Sequence, residues 1–145
     1  MRKRFPSVAA ALGAVALAIA ACKSTPTNTN NCGSGAAPSL VGTYVLASYQ
    51  FGTQTWTAPT STGSLHLTAA TYSYTMLLAT DTTPLTVSGA GNYVIVGASC
   101  IMQTSTVDTT HFSASFVLQT VAGVTTLRES GSDGTHEVIW LWTKQ

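Results

Sequence analysis

Charge is the scarcest property of this chain: of its 145 residues, 8% are Asp, Glu, Lys or Arg. Three of its six bases, Arg2, Lys3 and Arg4, stand at the very start. Past residue 21 only Lys23, Arg128 and Lys144 remain, against Asp81, Asp108, Glu129, Asp133 and Glu137, leaving that part with a net charge of −2. Three scattered bases cannot form the positive surface that nucleic acid or anionic lipid requires, so no nucleic-acid partner is expected.

Long apolar runs are also lacking. The longest, from Val8 to Ala21, would reach only about 21 Å as a helix at 1.5 Å per residue, short of the roughly 20 residues that span a bilayer. A permanent transmembrane helix is therefore not expected. Beyond residue 40 no helical period appears. Catalytic signatures are missing too: there is no G-x-S-x-G elbow, and Asp81, Asp108 and Asp133 all fall in turn-like stretches, where aspartate commonly bonds its own backbone. Glu129 and Glu137 read as a solvated rung beside Arg128. His66 and His111 lie on the outward face of their segments, whereas His136 shares parity with Val138 and Trp140. Imidazoles on opposite faces of a wall cannot share an ion. No catalysis, cofactor or metal is expected.

What the chain does have begins with its leader. A basic start, a short apolar run and small residues before a cut site make an export signal over residues 1–21. At Ile19-Ala20-Ala21-Cys22 the sequence resembles the lipobox of bacterial lipoproteins. That resemblance implies a diacylglycerol thioether on Cys22, which becomes the first mature residue. Two or more acyl chains hold a protein stably on a membrane where one does not. Lys23 stands where aspartate would be the inner-membrane retention signal, so the resemblance implies the bacterial envelope, and the periplasmic face of the outer membrane in a two-membraned cell. The alternative is an ordinary secretory signal with Cys22 incidental. Residues 22–38, rich in Thr, Asn, Gly and Pro, read as a flexible spacer. In an exported protein Cys32 and Cys100 can pair, or Cys32 stays free while Cys100 is buried as a small hydrophobe; both remain open from the sequence.

From residue 39 to 145 the pattern is period two, broken by turns. It predicts eight strands at 42–49, 63–68, 72–79, 88–96, 100–106, 111–120, 124–129 and 135–143, with residues 51–61 irregular. Eight hairpin-linked strands can close into an antiparallel up-and-down barrel that leaves no exposed edges. The 22 threonines of this region lie mostly opposite the apolar positions and suit an outer wall. A two-sheet sandwich is the alternative. The inward set contains Tyr44, Leu46, Tyr74, Met76, Tyr93, Phe112, Phe116, Trp140 and Trp142, the candidate ligand contacts.

The opening Gly42-Thr43-Tyr44 resembles the glycine-x-tryptophan start of lipocalins and small lipocalin-like domains, with tyrosine for tryptophan. The likeness continues through Thr62-Gly63-Ser64-Leu65-His66-Leu67, Ser88-Gly89-Ala90-Gly91-Asn92-Tyr93 and Lys144, where arginine is usual. It implies that Lys144 packs over Tyr44 to close one barrel end. It also implies that the first loop, with Phe51 and Trp56, acts as a lid; the alternative places both as core at the barrel rim. The expected function is non-catalytic binding of a small apolar ligand by a membrane-anchored lipoprotein. The alternatives are a protein-binding module, such as an inhibitor of an envelope hydrolase, and a structural protein with a filled barrel.

Overall fold

The computed structural model describes residues 32–145, and among them there is no helix. The expected signal peptide, Cys22 and the first part of the spacer lie outside the described residues. Nine strands follow in order: β1 (Gly42–Phe51), β2 (Gln54–Thr57), β3 (Thr62–Leu67), β4 (Thr71–Leu78), β5 (Leu85–Val96), β6 (Cys100–Ser105), β7 (His111–Val121), β8 (Val124–Ser132) and β9 (Glu137–Lys144). Each pairs antiparallel with a neighbour, and β1 pairs with β9, so one continuous sheet closes on itself. The result is an eight-stranded up-and-down barrel with β2 as an appendage, and not a sandwich.

β2 is the departure from the expected strand list. The stretch read as loop turns sharply at Gly52, whose φ of 58° suits glycine. Gln54–Thr57 then runs back along the end of β1, from Phe51↔Gln54 to Ser48↔Thr57. The first half of that same edge of β1 is taken by β3, from Gly42↔Leu67 to Val45↔Ser64. Four residues are too few to show an alternation in sequence, and the vacant half-edge recruits them because unpaired backbone groups are costly.

A second irregularity changes which side chains face inward. Between β1 and β9 the register steps from Leu46↔Trp142 to Ser48↔Leu141, leaving Ala47 as a bulge. The extra residue shifts the phase of the alternation. Tyr44 and Leu46 are buried before it and Tyr49 after it.

The barrel interior is filled from one end. Leu40, ahead of β1, is fully buried, and its carbonyl accepts the Tyr44 hydroxyl at 2.8 Å. The Lys144 ammonium lies 5.7 Å from the centre of the Tyr44 ring and donates to the Val41 carbonyl at 2.8 Å. Tyr93 reaches the Thr68 carbonyl at 2.6 Å. This end is closed.

Further along, bulky tyrosines pack against a glycine wall. Tyr72 is opposite Gly91 and Tyr74 opposite Gly89 in the β4–β5 register. A Cβ on Gly89 would come within 2.7 Å of the Tyr74 ring, so the missing side chains make room for the rings. Phe112 similarly occupies the space beside Gly131.

Cys32 and Cys100 are joined by a disulfide with a Cα separation of 5.0 Å. The Cys32 carbonyl also accepts the amides of Ala98 and Ser99 at 2.8 and 2.9 Å. Gly97, at φ 61°, passes so close that a Cβ would meet that carbonyl at 2.5 Å. The end of the expected spacer is thus clasped to the β5–β6 turn, while Gly33 to Ala37 stay exposed.

Candidate functional site

The other end of the barrel is a mouth. The loops of residues 58–61, 79–84, 106–110 and 133–136 surround it, together with the β1–β2 turn. The β1–β2 hairpin leans over this rim. Trp56 stacks on Tyr49 with ring centres 5.5 Å apart and planes 20° from parallel. Its indole Nε1 donates to the Ala79 carbonyl at 2.9 Å, while the Ala79 amide donates to the buried Ser61 hydroxyl at 2.9 Å. These bonds tie the hairpin to the end of β4. Between them opens a cavity of about 550 Å³, lined by Tyr49, Phe51, Trp56, Leu78, Leu85 and Val87 and by the polar side chains of Gln54, Thr55, Thr80 and Asp81. That volume falls in the roughly 300–1,000 Å³ range of small-molecule sites.

The aromatic cluster continues below the rim. Tyr49 packs on Trp140 at 5.9 Å, and Phe112 meets Trp140 edge-on at 5.2 Å. Burial, with the Asp133 carboxylate nearby, pushes the Tyr49 hydroxyl up to about 12, so it stays neutral. Phe51 lies 4.6 Å from the His136 ring. The His136 Nδ1 is 3.2 Å from Asp133 Oδ2, and the backbone amides of His136 and Thr135 hold the Asp133 carboxyl below its ordinary range. Asp108 is likewise lowered by the Ser105 and Thr110 side chains. Both aspartates therefore serve their own turns.

A buried carboxyl lies where the sequence placed none. Glu129 was expected in a solvated rung with Glu137; it instead faces inward and is only 3% exposed. The hairpin register sets Glu129 opposite Trp140 and Glu137 opposite Ser132, so the two acids do not share a rung. Oε2 accepts the Gln103 carboxamide at 3.1 Å, and Oε1 has no protein partner. Burial raises this carboxyl to about 7, and the Gln103 bond only partly offsets it. The parity shared with buried Leu127 was the readable signal, and the charge overrode it.

The expected ligand contacts are placed as follows. Tyr44, Leu46, Met76, Tyr93, Phe116 and Trp142 are buried in the packed core, and Tyr74, Phe112 and Trp140 are half-buried against it. None of these lines the mouth cavity, whereas Phe51 and Trp56 of the first loop do. The cavity's remaining aromatic wall, Tyr49, was hidden from sequence parity by the Ala47 bulge. His66 and His111 bond Thr43 and Thr104 on the outer wall, at 3.3 and 3.0 Å. His136, which shares parity with Val138 and Trp140, lies exposed at the rim. Among the described residues no group of three His, Cys, Asp or Glu is gathered for a metal. Compared with family models, curated proteins and solved structures, the chain matches none. The geometry of the mouth therefore carries the functional argument.

Proposed function

We propose that this protein is a lipid-anchored protein of the bacterial envelope that binds a small, largely apolar molecule in the mouth of its barrel, without catalysis. One observation carries the reading: a cavity of about 550 Å³ with Tyr49, Phe51 and Trp56 on its walls, above an interior already filled by core side chains. Aromatic and aliphatic walls favour hydrophobic capture, and the polar side chains of Gln54, Thr55, Thr80 and Asp81 can orient the occupant. The rim hairpin is fastened to the end of β4 by the Trp56 indole, and the loop after it by Ser61, which favours a carrier over a protein-binding module with a free inserting loop. The test is native mass spectrometry of the full chain carrying Cys22→Ser, which is exported but cannot be acylated. A reproducible adduct of a few hundred daltons, lost on denaturation and absent from Trp56→Ala, is expected. A bare mass that stays bare with added alkanols would refute the reading. The anchor has its own test: protein extracted from membranes should carry an acylated Cys22 at its N-terminus.

A further inference from the structure

We infer that the ligand class of the mouth is an organic cation bearing apolar groups, such as an alkyl or aryl ammonium, and not an apolar carboxylate. This rests on the mouth being the binding site proposed above and adds the charge of the occupant.

The formal charges of the described residues are segregated along the barrel axis. Asp81, Asp108 and Asp133 lie in loops of the mouth end, and Glu137 begins β9 at that end. Lys144 is at the opposite end, held on Val41 and Tyr44. Arg128 stands on the outer wall, opposite Val117 and Leu141. No lysine or arginine among the described residues reaches the mouth, where the only basic groups are His111 and His136. His136 is engaged with Asp133, and His111 with Thr104. Asp81 belongs to the cavity wall itself.

The aromatic walls have the same preference. The face of an indole or phenol ring is the negative pole of its quadrupole and attracts a cation within about 6 Å of its centre. Tyr49 and Trp56 line the cavity together with Phe51. A carboxylate there would meet Asp81 with no lysine or arginine among the described residues to receive it. Behind the floor, Tyr49 pairs with Trp140 and Trp140 with Glu129, whose Oε1 lacks a protein partner.

The test compares three submicellar probes of equal chain length, decyltrimethylammonium, decanol and decanoate, by calorimetric titration of the full Cys22→Ser chain at low salt. The ammonium should bind at least tenfold more tightly than decanoate, with decanol between them. Asp81→Asn, an exposed position whose fold is checked by circular dichroism, should narrow that gap several-fold, as should raised salt. Trp56→Ala should weaken all three. Equal or tighter binding of decanoate would overturn the cation inference and leave the mouth as an apolar site. Failure of all three to bind would overturn both readings. Ammonium binding unchanged in Asp81→Asn and Trp56→Ala would place the cation elsewhere and likewise overturn the inference.

Discussion

Replacing Glu129 by glutamine should make this protein more stable, and by an amount that depends on pH. Glutamine keeps the shape and an oxygen for Gln103 while removing a group that cannot ionise cheaply inside the barrel. The carboxyl titrates near 4.5 when exposed and is raised to about 7 in the fold. Its folded value lies above its unfolded one, so its protonated form supports the fold below about pH 4.5, and that support drains away as pH rises to about 7. Above that pH the loss is complete and level. A tenfold change in proton affinity is worth about 1.4 kcal/mol, so the full loss is about 3 kcal/mol. Urea unfolding of the oxidised protein and of Glu129→Gln, from pH 4 to 8.5, measures it. The gap in favour of the variant should be small at pH 4 and grow to about 3 kcal/mol by pH 8. At the scale of a hundred-residue domain that is roughly 15 °C in melting temperature. Because both proteins keep their histidines, the difference between the curves isolates Glu129. Parallel curves across this range would refute the burial argument.

Removing the disulfide with Cys32→Ala and Cys100→Ala frees a 68-residue separation, and chain entropy predicts a loss of about 4 kcal/mol, read by the same urea experiment. Gly91→Ala should cost about 1–3 kcal/mol and Gly89→Ala less. The first Cβ would strike the Thr104 backbone, which cannot give way, while the second strikes the edge of the Tyr74 ring; thermal melts of both compare them. Lys144→Met should lower stability by about 1 kcal/mol by taking away the donor to the Val41 carbonyl and the charge over Tyr44, measured by denaturant titration.

The barrel was legible because its signal is local and repeats every second residue. Leu65 and Leu67 share one face, as do Tyr72, Met76 and Leu78, and Val138 and Trp142; all are buried. Hairpin turns between such segments leave few topologies other than sequential pairing. The site was legible only in part, because it depends on departures from that period. The bulge at Ala47 depends on how β1 meets β9, a strand about a hundred residues later, and it alone turns Tyr49 toward the mouth. β2 exists because β3 leaves half an edge of β1 unpaired, which no inspection of Gln54–Thr57 discloses. Glu129 was misplaced for a different reason. Its charge argued for water and its alternation with Leu127 argued for the core, and here geometry outweighs solvation because Gln103 stands within hydrogen-bonding distance.

The clasp at Cys32 also fixes the end of the barrel at which the preceding chain is attached. It fixes the incoming chain at the Gly97–Ser99 turn, on the end of the barrel that Leu40 and Lys144 seal. Under the proposed acylation, nine residues separate Cys22 from this point, about 35 Å at full stretch. The lipid then pulls on the sealed end alone, and the bond to Cys100 stops the leash from lengthening into the domain. Under that proposal the point of attachment and the aromatic mouth lie at opposite ends of the barrel, so the mouth is the end farther from the anchor.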